Sequence, residues 1–597
     1  MSLLNAIQEQ EEKDVAPRRD QGGAILSVDI GNIYTRAILL DMVDGAYRFV
    51  ARGEAPTTAA PPWNNVMEGI HQAVKQIADA TGRAIFDDDG SLIMPERDLF
   101  YGVNVFTATA SAGKPVRAIL VGLMPDVSLS SGRRAAESAY LMLVDSFSLG
   151  DKRTQEQQIN AVLQAQPELV LIVGGTDNGA AQSIRRQVET IALACTLMER
   201  ERRPTILFAG NQAMRGEVEE KFDEVGVRTL LADNVRPTLE TESLDQAQKS
   251  LASLYHKQRA SSAGGFAEIG GWTDDGVFPT AHGFSRMIQI LGAMESQNVL
   301  GVDLGSSDTT IAAYLRGHHY LNVEDGLGVG HTATGILSHI KPDNIARWLS
   351  YAPEHPDDVQ DYVWNKWLFP QTVPVSREDL ELECGLAREI IRFAALSARA
   401  SWRDVRQRGP LPPFDTILLA GSTLARAPHY GWAALVALDA FLPIGVTRLV
   451  VDPYGMAAAL GSIAPFNHRA VVQTLETGAF IDLGTVIAVS GRARKGEIVL
   501  RGSLKPEGES QAETFEVAYG SIARIPLEYG KAAEVTLQPR NVEIEAGPRK
   551  RLRKLKVRGG ELGMIIDARG RPWRFPREPE ERRALVGEWI ASMTGDQ

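Results

Sequence analysis

Ile25-Leu26-Ser27-Val28-Asp29-Ile30-Gly31-Asn32-Ile33-Tyr34-Thr35-Arg36-Ala37-Ile38-Leu39-Leu40-Asp41 reads as an apolar strand, an Asp-apolar-Gly step, a short polar turn and a second apolar strand. About 270 residues later the pattern returns as Val299-Leu300-Gly301-Val302-Asp303-Leu304-Gly305-Ser306-Ser307-Asp308-Thr309-Thr310-Ile311-Ala312-Ala313-Tyr314. Each copy is a β-hairpin with a turn of small and hydroxyl residues. Glycine there lets backbone N–H groups approach an anion, and Ser or Thr adds donors. An Asp at the strand end can hold Mg²⁺ through water or orient an attacking water. One copy alone reads most simply as an ordinary hairpin. Two copies point to a duplicated domain whose hairpins grip phosphate from both sides of one cleft. A third match, Ile481-Asp482-Leu483-Gly484, lacks the hydroxyl-rich turn and reads as a decoy opening a glycine-punctuated β region.

Two later segments agree. Asp415-Thr416-Ile417-Leu418-Leu419-Ala420 is a buried strand, and Gly421-Ser422-Thr423 after it is a turn against which a flat nucleoside can lie on bare backbone. Taken alone, it is any strand-to-helix turn of an α/β protein. Leu449-Val450-Val451-Asp452-Pro453-Tyr454-Gly455 leads into the Ala-rich helix Met456 to Gly461, whose small side chains allow close helix packing at an interdomain hinge.

This order of two Asp-Gly hairpins, a Gly-Ser-Thr turn and an Ala-rich helix resembles the actin, hexokinase and DnaK-type chaperone superfamily. The resemblance implies ATP and Mg²⁺ as ligands. Asp29, Gly31 and Thr35 would meet phosphate or Mg²⁺ on one side, with Asn32 and Tyr34 of the same turn. Asp303, Gly305, Ser306 and Ser307 would do so on the other side, and Gly421 and Ser422 would border the adenosine. Asp29 and Asp303 become the metal candidates, and Asp303 and Asp308 the catalytic ones.

Between the hairpins, strands alternate with helices, so a separate parallel α/β domain is expected. Its Gly174-Gly175-Thr176-Asp177-Asn178-Gly179 loop reads equally as an anion nest or as a set of tight turns. That loop, Ala209-Gly210-Asn211 and Val323-Glu324-Asp325-Gly326-Leu327-Gly328 are similar to the glutamate mutase L family, accessory proteins of adenosylcobalamin-dependent mutases. The similarity runs from about residue 24 to 465. The segment from Val557 through Asp567-Ala568-Arg569-Gly570-Arg571-Pro572 resembles an extension of some members. The family implies a protein partner, a cobalamin-dependent mutase, and a reactivating or chaperone-like role. Four departures stand out. Asp308 precedes the usual carboxylate position, which holds Thr310. Asn32-Ile33 replaces Ser-Thr, Arg36 replaces Lys, and Ala420 replaces Gly. The moved carboxylate bears on ATP hydrolysis, and the other changes leave the phosphate-gripping pattern in place.

Composition sets the outer bounds. With 75 acidic against 63 basic residues, net −12, the chain does not read as a nucleic-acid binder. Two cysteines, Cys195 and Cys384, leave no disulfide framework, zinc site or iron–sulfur spacing. Cytoplasm is the expected compartment, with no membrane span. The expected division is a disordered tail over 1–22, the first actin-like lobe over 23–105 and the inserted α/β domain over 106–240. A helical connection over 241–295, the second lobe with its hinge helix over 296–465, and an antiparallel β-rich domain with a final helix over 466–597 complete it. Within the last, the basic run from Arg549 to Arg558 reads as a charge-protected strand edge before it reads as a polyanion site. The competing functions on this fold are a small-molecule kinase, for which no convincing general base stands out, and a nucleotide-dependent scaffold.

Overall fold

The computed structural model describes residues 22–112, 116–136, 141–259, 264–273, 276–402, 405, 411–545, 554–571 and 573–595. The tail expected over 1–22 lies almost wholly outside them, as do Arg549 to Arg553 of the basic run. The fold is α/β, with parallel and mixed sheets.

Two of the sheets share one plan. In the first, Ile25–Ile30 pairs antiparallel with Tyr34–Val43, which pairs antiparallel with Ala46–Pro56. On its other side Ile25–Ile30 pairs parallel with Val105–Ala110, which pairs parallel with Val277–Pro279. In the second, Val299–Leu304, Asp308–Leu315 and His318–Asp325 repeat the antiparallel trio. Thr416–Ala420 and Gly445–Val451 repeat the parallel pair. The duplication read from two short motifs is therefore a duplication of strand order and direction. Apolar residues alternate onto both faces of these strands, so each sheet is covered by helices on both sides.

The helices Thr280–Glu295 and Met456–Ile463 cross between the two sheets. A Cβ on Gly461 would lie 1.8 Å from the Gly283 carbonyl oxygen, and one on Gly283 would lie 2.4 Å from that of Ala458. Only glycine permits so close a crossing, and this is what the small residues of 456–461 achieve. Phe284, Met287, Ile288, Met456 and Leu460 join Ile25 and Leu40 of the first sheet to Val299 and Leu418 of the second in one core.

The inserted domain has five strands, all parallel, in the order Leu141–Phe147, Val116–Val121, Leu169–Gly174, Thr205–Gly210, Thr229–Leu231. Helix Asp245–Arg259 belongs to its core, where Leu251 and Tyr255 pack with Val116 and Leu120. Sheet membership moves three expected boundaries. Val105–Ala110 pairs with the first hairpin, so the first lobe continues past residue 105. The stretch 241–295 is not one connection. It divides among the inserted domain, a first-sheet strand and the helix between the sheets. Ile481–Ala488 pairs antiparallel with Gly445–Val451, and Met564–Asp567 pairs with it in turn, so the second sheet reaches well past residue 465. Asp482 there binds Arg448 at 2.7 Å, outside the large cleft described below.

A four-stranded antiparallel sheet forms from Glu513–Ala518, Ile498–Pro506, Ala532–Pro539 and Lys554–Arg558, the last an edge strand carrying exposed Lys554, Lys556 and Arg558. The final helix Pro579–Thr594 buries Leu585, Trp589 and Ile590 in the second-lobe core. A buried charge chain ties this end of the sequence down. Asp439 takes Arg388 Nε at 2.7 Å and Arg569 Nη1 at 2.5 Å, and Asp567 takes Arg569 at 2.9 Å and Arg571 at 2.6 Å. Every charge in the chain has an opposite neighbour, as burial demands.

Candidate functional site

Both hairpins close through the same turn. Gly31 N–H donates to the Tyr34 carbonyl at 2.9 Å, and Gly305 N–H donates to that of Asp308 at 2.9 Å. A Cβ on Gly31 or Gly305 would lie 2.7 or 2.8 Å from the same oxygens, so each turn excludes a side chain. Counting from the aspartates, Tyr34 is equivalent to Asp308, Thr35 to Thr309 and Arg36 to Thr310, and the registers Asp29↔Arg36 and Asp303↔Thr310 agree.

The two turns face one another across a cleft of about 550 Å³. Asp29, Gly31, Asn32, Tyr34, Asp303, Gly305, Ser306, Asp308, Gly421 and Ser422 all line it. Thr35 and Ser307 do not. Strand side chains alternate, so with Tyr34 and Arg36 turned into the cleft, Thr35 must face the other way. Its hydroxyl donates to Thr57 Oγ1 at 3.4 Å, and it is fully buried. Thr309, its counterpart, is likewise buried and donates to the Leu327 carbonyl at 2.6 Å. Ser307 is buried under Thr332, whose hydroxyl donates to the Ser307 carbonyl at 2.7 Å. The expected side-chain contacts of Thr35 and Ser307 with phosphate or Mg²⁺ are therefore withdrawn.

Asp29 is held by two hydroxyls, Thr109 at 2.8 Å and Thr280 at 2.7 Å, both donating to Oδ1. Arg36 Nη1 stands 3.9 Å from its other oxygen. Burial, and then the charge of Asp29, push the Asp303 carboxyl up to about 7. Burial, and then the charges of Asp303, Asp325 and Asp29, push Asp308 up to about 8. Acidic groups crowded in a low-dielectric space call for a cation. Among the described residues, no group of three or more His, Cys, Asp or Glu side chains is spaced to hold a metal ion by itself. Asp452 is spent on structure: its oxygens accept N–H groups of Tyr454, Met456 and Ala457 at 2.8–3.2 Å, at the start of the inter-sheet helix.

Gly421 has φ +96°, and a Cβ there would lie 2.2 Å from the Leu304 carbonyl oxygen. The turn therefore presents bare backbone beside the second hairpin. Several lining groups carried no local signal. The segment 370–377 with Leu380 also lines the cleft, and Lys366, which donates to the Thr372 carbonyl at 2.8 Å, pairs with Glu383 at 3.0 Å. Glu383 also accepts from Tyr362 at 2.7 Å and Thr423 at 3.1 Å. Ser306 Oγ lies 2.8 Å from His331 Nδ1 and accepts the His331 backbone N–H at 3.0 Å, tying a loop to the second turn.

The MutL protein family matches this sequence over residues 25–478, most of the chain and both hairpins. The chain belongs to the MutL protein family. A MutL protein of Clostridium tetanomorphum is 22% identical over 295 residues, which is 48% of this chain and 57% of that protein. The chain thus spans little more than half the length of the relative it matches. Among solved structures, nucleotide-free acetone carboxylase aligns over 82% of this chain and 80% of its own, at 9% identity and TM-score 0.29. Component A of the (R)-2-hydroxyglutaryl-CoA dehydratase of Acidaminococcus fermentans aligns over 76% and 100%, at 8% identity and TM-score 0.26. A nucleotide-free diol dehydratase-reactivating factor aligns over 74% and 99%, at 13% identity and TM-score 0.28. Among the described residues no helix is long and apolar enough to cross a membrane.

Proposed function

We propose that the cleft binds ATP with Mg²⁺, and that the nucleotide state of this family member governs a protein partner, a cobalamin-dependent mutase that it reactivates. The observation that carries the ligand is the pair of equivalent turns facing one cavity, each with a glycine-opened backbone and a carboxylate at its base. Polyphosphate is the ligand such opposed turns suit. The side chains lining the cavity that could ligate a metal offer oxygens, the set a hard divalent ion prefers, and with no three-residue cluster among the described residues the ion would keep waters and phosphate oxygens in its shell. When bound, Mg²⁺ would neutralise phosphate charge. Asp29 and Asp303 are the residues proposed to hold it, and the backbone of Gly421 and Ser422 to border the nucleoside.

Asp303 and Asp308 are the groups proposed to handle a proton. Burial and the neighbouring carboxylates raise them to about 7 and about 8, so each exchanges a proton near neutral pH while it is not holding the ion. The same feature keeps a small-molecule kinase as the second reading. The partner rests on family membership, and the structure supports it by offering two further domains outside the cleft.

The test is reactivation. A candidate mutase is inactivated by turnover, then supplied with this protein, ATP, Mg²⁺ and fresh adenosylcobalamin. Recovery that needs ATP supports the reading. No recovery with any mutase of the source organism, together with no co-purifying mutase, overturns the accessory role and leaves the nucleotide site to be judged separately.

A further inference from the structure

Glu54 lies on the strand Ala46–Pro56, directly opposite Arg36 in the sheet register. Its side chain is 14% exposed and sits among three guanidinium groups. Arg36 Nε donates to it at 3.0 Å and Arg52 Nη2 at 3.2 Å. Arg426, from the second lobe just past the Gly421 turn, contacts both of its oxygens. Two more bonds cross between the lobes beside this point. Arg36 Nη2 donates to Ser422 Oγ at 2.8 Å, and Arg52 Nη1 donates to the Pro453 carbonyl at 3.3 Å. Phe49 stacks on Tyr454 at 5.3 Å alongside them.

The arginines of this cluster face two ways. Arg36 and Arg426 line the large cleft, while Glu54 sits behind them and does not. Three guanidinium groups stand against the carboxylates of Glu54 and Asp29, and the Asp303 charge also acts on Arg36. A planar guanidinium engages carboxylate or phosphate in the same two-pronged way, so the two anions compete for it.

Resting on the nucleotide reading, we propose that Glu54 is a stand-in for phosphate. It clasps Arg426 of the second lobe to Arg36 of the first, and a polyphosphate chain takes both arginines from it. That exchange removes a charged bridge between the lobes. Nucleotide binding is thereby coupled to the lobe angle on this side of the cleft. A ligand moves such an equilibrium only by its unequal affinity for the two states, and the arginine exchange supplies the inequality.

The experiment uses the full chain and Glu54→Gln. Binding of Mg-ATP and of inorganic tripolyphosphate is followed by calorimetry. The lobe separation is followed by single-molecule energy transfer between dyes at Asp44→Cys and Glu354→Cys, both exposed positions. The proposal expects Glu54→Gln to bind both ligands more tightly, by about tenfold for one charged competitor removed. It also expects the ligand-free variant to show the distance distribution of wild type with ATP. If Glu54 merely orients the arginines, the variant binds more weakly, and that result overturns the proposal while leaving the nucleotide reading intact. A wild type that binds neither ligand overturns both. Arg426→Gln is the second variant. It should release the lobes without ligand and also weaken binding, and an unchanged ligand-free distance distribution there would again refute the clasp.

Discussion

Replacing Asp303 by Asn should stabilise the empty protein at pH 8. The side chain keeps its size and loses its charge. In the wild type the folded state holds the Asp303 proton up to about pH 7, whereas an unfolded Asp releases it near 3.8. Between those values the folded state carries the extra proton, so stability falls as pH rises and stays low above 7. The separation is about three units, and at 1.36 kcal/mol per unit the ceiling is about 4 kcal/mol. Arg36 nearby and relaxation of the cleft will reduce this, and about 2 kcal/mol is the working figure. At pH 5 only a little over a third of the window has been crossed, so the advantage of the variant should shrink in proportion. Asp308 is raised partly by the Asp303 charge, so the variant relieves it as well. For a lobe of roughly 200 residues, 2 kcal/mol corresponds to a Tm about 4–8 °C higher at pH 8. Differential scanning calorimetry at pH 5 and pH 8 reads both values. A variant that melts below wild type by the same margin at both pH values would refute the reasoning, because Asp303 would then be a satisfied structural carboxylate.

Three other substitutions separate parts of the account. Thr35→Val should change the ATP Kd less than about twofold and cost at most ~1 kcal/mol of stability, since its hydroxyl meets Thr57 and not the cleft; a large loss of affinity by calorimetry would return Thr35 to the site. Gly421→Ala should cost about 1–3 kcal/mol from the backbone conformation alone, with more from the Leu304 carbonyl, and should abolish nucleotide binding in whatever remains folded. Asp439→Asn leaves Arg388 without a carboxylate in the core and Arg569 with Asp567 alone, and urea denaturation should show a loss of about 3–5 kcal/mol.

What the sequence made legible was local. Asp29-Ile30-Gly31 and Asp303-Leu304-Gly305 announce their turns because the glycine and the flanking apolar strands act within a few residues of each other. The same local logic suited the Gly421 turn and the small residues of the inter-sheet helix. The direction of Thr35 was also in principle readable, since Tyr34, Thr35 and Arg36 alternate, but a motif borrowed whole carried Thr35 into the cleft with its neighbours. Pairings across the chain left no such trace. Val105–Ala110 joins Ile25–Ile30, and Ile481–Ala488 extends a sheet begun at Val299, because parallel and late-added strands are chosen by packing and not by nearby turns. Glu54 and Arg426 are 372 residues apart, and each reads alone as a solvated surface charge. Lys366 and Glu383 likewise sit on different helices and meet only because those helices pack.

The central claim is that two equivalent hairpin turns make one nucleotide site. Isothermal titration calorimetry of the full chain with Mg-ATP, run beside the Asp303→Asn variant, tests it most directly. The account predicts one ATP bound per chain in the wild type, with a clear loss of affinity when Asp303 is neutralised despite the higher Tm of that variant. No heat and no thermal stabilisation of the wild type by Mg-ATP, at concentrations saturating for any ordinary nucleotide site, would contradict it.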